Sequence, residues 1–213
     1  MGEVAVRELN ESTIMSAAAA AFDKALSGLP GMGSCKELAD QYLEENETVE
    51  EAIDSLVRWQ TGKAGLGGLV TGLGGLPTLP VAIPAGMFNL FYHQMRMVGA
   101  TAYMCGYNPD RSDKARVICL ACLAGDSVHA LLREAGVQLG RTLLFNTIKG
   151  LSGQVIRDIN RAVGMRLITK FGSTGVLNLG KAIPVVGGLV SGGMDAGWTY
   201  SVGMGAKQVF LGR

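Results

Sequence analysis

The sequence predicts an all-α protein, a single compact helical domain with glycine-rich, closely packed central helices. Three observations predict this fold class. Apolar residues recur at the spacing of three and four that marks one face of a helix, and strand-like alternation never lasts for more than a few residues. Hydrophobic residues make up 48% of the 213 residues and charged residues only 17%, so the core is large and the charged surface is sparse. Glycine contributes 31 residues, which favours close packing of helix backbones.

The first three predicted helices are recognised by residues that begin and end helices. An alanine-rich helix ends at Gly28, Ser34 caps the second helix, and Thr48 with Glu51 forms a capping box before the third. The third helix carries an apolar stripe and runs toward Trp59. These helices are expected over 13–27, over 35–45 and from 49 onward.

The chain carries no Asp, Glu, Lys or Arg between Lys63 and Arg96, and this stretch is rich in Gly and Pro. Uncharged runs of this length are typical of membrane spans, but Pro77, Pro80 and Pro84 exclude a single straight helix. Its apolar surface is buried in the protein's own core, in a bilayer or in a partner, and the sequence leaves these alternatives open. The predicted elements are a short glycine-rich helix over 64–76, a proline-rich turn over 77–84 and a long helix over 84–105.

Four further helices are predicted in the rest of the chain. Ser112 caps the first, and Asp126 begins a short one that stops at Gly136. The next helix is amphipathic and ends at Gly172, and a long glycine-rich helix follows Pro184. These helices are expected over 113–124, 126–136, 153–171 and 184–210.

Small residues recur at a spacing of four in both glycine-rich regions, which predicts close helix crossings. A stripe without large side chains lets two helix backbones approach, as in membrane helix dimers. Each glycine inside a helix costs about 1 kcal/mol against alanine in water, so tight packing has to compensate. A crossing inside a soluble core and a membrane-inserting hairpin both satisfy the pattern. The stripes are Gly193, Gly197, Ser201 and Gly205, and Ala64, Gly68 and Gly72.

Charge is distributed unevenly along the chain, although the net charge is only +1. Residues 1–60 hold 12 acidic and 4 basic side chains, whereas residues 61–213 hold 6 acidic and 15 basic ones. The acidic helices of residues 1–48 are expected to pack beside the basic remainder, residues 49–213, as one continuous domain. The low net charge argues against nucleic-acid binding, and the alternative use of the basic half is a face for anionic lipid. The candidates for that face are Arg141, Lys149, Arg157, Arg161 and Arg166.

The N-terminal residues are acidic and polar without a secretory pattern, and four cysteines in such a chain predict a reducing compartment. We therefore expect a cytoplasmic protein that is at most peripheral to the inner face of the membrane. A transmembrane span is disfavoured because His93 and Arg96 lie in the middle of one apolar helix and Asp195 lies in the first half of another. A centred Arg costs roughly 2.5–3.5 kcal/mol on insertion.

Asp195 lies in a stretch, 182–206, that carries no other charge, so its burial requires a partner. Arg96, His93 and Lys63 of the other glycine-rich region are the expected partners. The interaction is either a structural ion pair between the two regions or part of a site where the carboxylate holds a ligand or acts catalytically. The full set of ligand or buried-polar candidates is Asp195, Arg96, His93, Lys181 and Asp54.

The sequence contains no recognised catalytic motif, so an enzymatic role is disfavoured and neither a cofactor nor a metal is expected. GxSxG and HExxH do not occur. The run before Lys181 imitates a P-loop, but Ala182 stands where a Ser or Thr has to bind magnesium. Cys119 and Cys122 form a single CxxC in apolar surroundings, which predicts buried structural thiols rather than a zinc site.

Several long strings of this chain resemble the EcsC family, in order over residues 50–210. They are AIDSLVRWQTGKAG, GLVTGLGGLPTLPVAIPAGMFNLFYHQMRMVGATAYMCGY, GMRLITKFGSTGVLNLGKAIPVVGGLVSGGMDAGWTY and the closing GAKQVF. The family is mainly bacterial, is named after a protein encoded beside an ABC transporter, and has no established biochemical function. The resemblance implies a compact, mostly helical protein that is cytoplasmic or membrane-associated, and it implies no reaction. The matching positions include Asp54, Trp59, Thr71, Pro80, Pro84, Arg96, Lys181, Pro184 and Asp195.

Three functions fit these observations, and the sequence favours the first. It is a non-enzymatic protein that associates peripherally with membrane, lipid or a membrane protein, through the Gly/Pro-rich hairpin and the basic half. The second is a soluble enzyme or small-ligand-binding domain with a pocket between the glycine-rich helices, around Asp195 and Arg96. The third is a structural protein that forms a homo-oligomer through its glycine stripe.

Overall fold

The computed structural model describes residues 10–65, 85–139, 141–178 and 184–212, apart from the side chains of 65, 85–86, 141–143, 172–178 and 184–194. The described residues form helices without a strand, which confirms the prediction of a single compact all-α domain. The helices are α1 (Glu11–Ser27), α2 (Cys35–Glu45), α3 (Val49–Gly65), α4 (Ala85–Met104), α5 (Asp113–Ala121), α6 (Val128–Glu134), α7 (Arg141–Gly150), α8 (Gly153–Asn178) and α9 (Pro184–Leu211), with a 3₁₀ segment (Cys122–Ser127) between α5 and α6.

Side-chain caps fix where several helices begin, as the sequence predicts. Ser34 Oγ accepts a hydrogen bond from the Glu37 N–H, and the Glu37 carboxylate accepts one from the Ser34 N–H at 2.7 Å, which completes a capping box. Thr48 accepts a bond from the Glu51 N–H at the start of α3, and Ser112 caps α5 in the same way. Each cap satisfies a backbone donor that the helix leaves unpaired, and such caps contribute about 1 kcal/mol.

Two helix boundaries in the C-terminal half differ from the prediction. The helix expected to end at Gly172 continues to Asn178, because one glycine weakens a helix without ending it and no proline follows before Pro184. Helix α7 was not predicted at all. Among its described side chains Leu144 and Ile148 are buried, and two apolar residues four positions apart are too short a pattern to stand out from a loop.

The chain between α5 and α6 is broken at Gly125, one residue before the expected helix start at Asp126. Gly125 has φ 59° and ψ −131°, a backbone conformation that glycine adopts without strain. A Cβ there would overlap the side chain of Ser201 on α9. Trp198 Nε1 donates to the Leu123 carbonyl at 3.2 Å, and the Asp126 N–H donates to Ser201 Oγ at 2.8 Å. Side chains of α9 therefore satisfy backbone groups that the break leaves without helical partners.

One described stretch, Asp113–Glu134, is 22 residues long and contains a window of 18 residues with a mean hydropathy of 1.5, which is long and apolar enough for a membrane span. It covers α5, the 3₁₀ segment and α6. Of its most apolar window, 67% is buried inside the protein. The stretch is also interrupted by the break at Gly125. Its burial is typical of a core helix.

Helix α9 passes closely over α3 and α4 at Gly203. A Cβ on Gly203 would lie 2.7 Å from Val57 Cγ2 and 3.1 Å from Met97 Sδ, closer than a side chain tolerates. Of the predicted stripe, Gly205 packs against the 3₁₀ segment, but Gly197 is exposed and a Cβ there would meet nothing within 4 Å. The glycine-rich helix is therefore closely packed, as predicted, but partly through a different face.

Helices α1 and α2 join the same core through Gly99 of α4. A Cβ on Gly99 would lie 3.1 Å from the Phe22 ring of α1 and would overlap the Cys35 side chain of α2. Phe22 and Cys35 are fully buried. The acidic N-terminal helices are thus packed against the later helices.

The long helices alternate in direction, which gives the bundle two distinct ends. Near one end, the ring of Phe91 on α4 lies 5.7 Å from Phe171 on α8 and 6.1 Å from Trp198 on α9. Near the other, Tyr107 after α4 lies 5.1 Å from Phe210 at the end of α9. We call the first the glycine-rich end, where α3 and α8 finish and α4 and α9 begin, and the second the charged end.

Several predictions concern residues outside the described part of the chain. They are the helix 64–76 beyond Gly65, the turn 77–84, the stripe positions Gly68, Gly72 and Gly193, Lys181, and the side chain of Arg141.

Candidate functional site

Three aromatic rings close the core near the glycine-rich end. Phe91, Phe171 and Trp198 meet edge to face, and Phe171 lies 5.1 Å from Trp198. Beyond these rings lie the helix ends that adjoin two stretches of chain, 64–95 and 171–194. Lys181 is the only residue of these stretches that is charged at pH 7. Those helix ends are Gly65, Ala85, Asn178 and Pro184.

Trp59, in the second half of α3, is the most exposed large apolar side chain among the described residues, at 59%. Lys63 Nζ lies 5.1 Å from the centre of its ring, one helical turn closer to the glycine-rich end. Burial lowers the pKa of Lys63, and the charge of Arg96 lowers it further. An exposed tryptophan beside a lysine near a bundle end is a combination that is enriched at membrane interfaces.

His93 and Arg96 lie one turn apart on α4. The sequence predicts them as partners of Asp195, but neither pairs with it in the structure. Burial lowers the pKa of His93 to about 4, and the charges of Arg96 and Lys63 add to the effect, so the imidazole is neutral at pH 7. Arg96 Nε donates to the Gly33 carbonyl at 2.7 Å. The guanidinium thus fixes the loop between α1 and α2 instead of neutralising a carboxylate of α9.

The charged group that acts on Asp195 is Lys170 of α8. Burial raises the pKa of the Asp195 carboxyl, and the charge of Lys170 opposes that rise. Burial likewise lowers the pKa of Lys170, against the charges of Asp195 and Asp126. Lys170 Nζ also lies 4.4 Å above the centre of the Trp198 ring. The predicted partners of Asp195 lie on the wrong helices, because the sequence does not show which helix faces the carboxylate.

A pocket of about 290 Å³ opens where the 3₁₀ segment, α8 and α9 meet. The floor is apolar, and the polar groups come from all three elements. Arg166 Nε donates to Ser127 Oγ at 3.1 Å, and Ser127 Oγ donates to the Ala124 carbonyl at 2.9 Å. The lining residues are Leu123, Ala124, Asp126, Ser127, Arg166, Leu167, Lys170, Trp198 and Ser201.

Asp54, the remaining described candidate, is part of an ion pair at the charged end. Lys207 Nζ of α9 lies 2.6 Å from Asp54 Oδ1 and 3.1 Å from Glu50 Oε1. The side chain of Lys207 is only 13% exposed, whereas both carboxylates are more than a third exposed. This arrangement joins α3 to α9 and places Asp54 far from Asp195.

The predicted lipid-facing residues do not share one surface with the glycine-rich end. Lys149 is exposed at the charged end, where its ammonium lies 5.1 Å from the centre of the Phe145 ring. Arg157 and Arg161 are exposed one turn apart in the first half of α8. Arg166 is half-buried and turned toward Ser127 in the pocket.

The two cysteines of the CxxC are buried thiols, as expected. Burial raises the pKa of both Cys119 and Cys122, and Cys122 Sγ donates to the Ile118 carbonyl. A thiol with a raised pKa is a poor nucleophile and a poor metal ligand. Within the described ranges, no cluster of three His, Cys, Asp or Glu side chains is arranged to hold a metal ion.

Sequence reasoning missed the residues that shape the pocket. Trp198, Ser201 and Gly125 act together only because α9 lies against the broken helix. The run Gly125-Asp126-Ser127 inside an apolar stretch was the available signal, because all three residue types favour a turn over a helix.

No protein-family model, curated protein or solved structure matches this chain. The resemblance to the EcsC family stays a prediction.

Proposed function

We propose that this protein associates peripherally with a membrane through its glycine-rich end. One observation carries the proposal. Two stretches of the chain, 64–95 and 171–194, are almost free of charge and lie far apart in the sequence. The helix ends in or next to these stretches lie on the same side of the Phe91, Phe171 and Trp198 rings. An end of a bundle that lacks charge is suited to contact an apolar phase.

Trp59 and Lys63 support a contact at the interface. A tryptophan buries a large ring among headgroups while its N–H remains hydrated, and a lysine extends its ammonium to the water. Trp59 is 59% exposed, so a large part of its ring is accessible for contact with the headgroup region. The pair marks the depth at which α3 meets the headgroups.

The same geometry favours peripheral contact over a span. Helix α4 is buried within the bundle and carries His93 and Arg96 near its middle, and α9 carries Asp195. Moving a charged residue to the bilayer centre costs roughly 2.5–3.5 kcal/mol, and the core contacts of these helices would be lost in addition.

The exposed basic residues contribute at most a weak attraction in this arrangement. Lys149 lies at the charged end, and electrostatic interactions between exposed charges are screened beyond about 10 Å at 0.1 M salt. We therefore expect binding that is largely resistant to salt, with a small additional contribution from anionic lipid.

The two tryptophans of the chain allow a direct test. In a Trp198→Phe variant the fluorescence reports Trp59 alone, and the substitution keeps a ring at the edge contacts with Phe91 and Phe171. Vesicles of phosphatidylcholine, with and without phosphatidylglycerol, are added at low and high salt. We expect co-sedimentation, a blue shift of Trp59 and quenching by lipids brominated in the acyl chain.

A matched control places the reporter at the other end. Phe145 is also exposed, at 44%, so Phe145→Trp in a chain with Trp59→Phe and Trp198→Phe moves the single tryptophan to the charged end. This reporter is expected to stay unquenched on the same vesicles. A chain that stays in the supernatant throughout, or equal quenching at both ends, contradicts the proposal.

A further inference from the structure

We propose that the pocket beside the broken helix binds a small zwitterion, an α-amino acid, whose ammonium meets Asp126 and whose carboxylate meets Arg166 and Lys170. The proposal does not depend on membrane association. It replaces the predicted pocket around Asp195 and Arg96 with one whose residues the structure brings together.

The charges of the lining match both poles of such a ligand. Arg166 and Lys170 supply two cations from α8, and Asp126 supplies one carboxylate from the opposite wall. Lys170 lies within electrostatic reach of both Asp126 and Asp195, so positive and negative groups alternate over a short distance. A simple anion would use the cations and leave Asp126 facing it unfavourably, whereas a zwitterion satisfies both signs.

Arg166 and Asp126 have hydrogen-bonding capacity left for a ligand. The Arg166 guanidinium has five N–H donors. Among the described residues, Ser127 Oγ and the Ala162 carbonyl accept hydrogen bonds from it. Asp126 is exposed, and its carboxylate forms neither a hydrogen bond nor an ion pair with any residue that the structure describes. If Asp126 served only to join two helices, its carboxylate would contact a cation of the neighbouring helix.

The pocket also has a place for an apolar side chain. Leu123, Leu167 and the ring of Trp198 form its floor, and all three are buried. A volume of about 290 Å³ lies at the lower limit of small-molecule sites, so the ligand is small. Because Trp198 Nε1 and Ser201 Oγ hold the broken backbone, the wall that carries Asp126 and Ser127 is positioned before a ligand arrives.

Nuclear magnetic resonance of the full chain tests the proposal. Trp198 lines the pocket and its indole N–H donates to Leu123, another lining residue, whereas Trp59 lies outside the pocket. The two indole N–H signals of one protein therefore supply a reporter and an internal control. Each standard L-amino acid is titrated in turn, followed by the N-acetyl derivative, which lacks the ammonium, and the methyl ester, which lacks the carboxylate. We expect at least one free amino acid to shift the Trp198 signal, with little change at Trp59.

Substitution of Asp126 separates a ligand site from a structural role. Asp126→Asn removes a charge from an exposed side chain, so the fold should persist while affinity for the zwitterion falls roughly 10- to 100-fold. In this variant the free and N-acetyl forms should bind equally weakly, because the partner of the ammonium is gone. Asp158→Asn, at an exposed carboxylate of α8 outside the pocket, is the matched control and should leave affinity unchanged.

Two results would overturn the proposal. One is a wild-type chain whose Trp198 signal responds to none of the free amino acids. The other is binding that is indifferent to N-acetylation or to Asp126→Asn, because it would reduce the pocket to a site for simple anions. Either result leaves the vesicle experiment unaffected.

Discussion

The two ends of the helical bundle are held together by different interactions. At the charged end, Lys207 of α9 reaches Asp54 and Glu50 of α3 where water can solvate the carboxylates. At the glycine-rich end, α4, α8 and α9 meet through ring edges, and His93, the titratable group closest to that contact along α4, is kept neutral by burial. The comparison shows that an ion pair with partly solvated carboxylates joins the helices at the charged end, whereas ring contacts join them at the glycine-rich end, where Lys170 lies against the Trp198 ring.

The largest effect on stability is expected at the crossing of α9 over α3 and α4. Gly203→Leu would force a side chain into Val57 and Met97 and separate α9 from α3 and α4. Overpacking at a backbone crossing should lower the free energy of unfolding by about 3 kcal/mol or more. Urea denaturation measures the loss, and a variant that unfolds like the wild type would show that the helices do not cross here.

The glycine-rich end alone should be sensitive to acid. The pKa of His93 is about 4 in the folded protein and about 6.5 when unfolded, so the unfolded state takes up the proton first. Stability is therefore full above pH 7 and falls between pH 6.5 and 4, by up to about 3 kcal/mol. The charges that face the imidazole are Arg96 on its own helix and Lys63 on α3.

Unfolding across this pH range is compared with that of His93→Gln, which cannot take up the proton. The variant should lose less stability on acidification than the wild type. His129→Gln, at a less buried histidine of α6 whose pKa is also lowered by burial, should show a smaller protection. If the free energy of unfolding of the wild type and of His93→Gln changed with pH in parallel, the acid sensitivity would not come from His93.

The charged end should show a smaller effect that depends on salt. Lys207→Met keeps the apolar stem and removes the charge that joins α3 to α9, which should cost about 1 kcal/mol because the carboxylates are partly solvated. The matched control is Lys36→Met, which breaks an exposed pair with Asp40 inside α2 and should cost about 0.3 kcal/mol. If high salt fails to reduce the difference between the two variants, the Lys207 effect comes from packing.

The smallest effect is expected at the exposed glycine of α9. Gly197→Leu places its side chain in open space and removes a glycine from the interior of a helix, so it should raise the free energy of unfolding by roughly 0.5–1 kcal/mol. The same variant tests self-assembly, the third function that the sequence allows. Analytical ultracentrifugation would favour that function if it found a wild-type oligomer that Gly197→Leu dissociates, together with an absence of vesicle binding.

Local chemistry made much of the fold predictable. Ser34 and Thr48 begin helices where the sequence places them, because a cap depends on residues three positions apart. The candidate site was less predictable, because it depends on how whole helices are rotated. Lys170 and Asp195 are both visible in the sequence, but only the packing of α8 on α9 shows that they meet.

The break at Gly125 illustrates the same limit. The residues that stabilise it, Trp198 and Ser201, each lie 75 residues beyond their backbone partner, so no local window contains both. The sequence predicts the interruption itself, with helices over 113–124 and 126–136, because Gly, Asp and Ser favour a turn. It does not show which residues of α9 stabilise the break.

That break also has a consequence for the order of synthesis. Because its partners on α9 leave the ribosome 75 residues later, the stretch 113–134 waits for about 4 to 15 s at ordinary rates of translation before it can be kinked and covered. During that interval it exposes an apolar window of 18 residues, long enough for the membrane-insertion machinery to accept. A chain that stops before Trp198 is therefore the form of this protein that we expect to be misdirected into the bilayer.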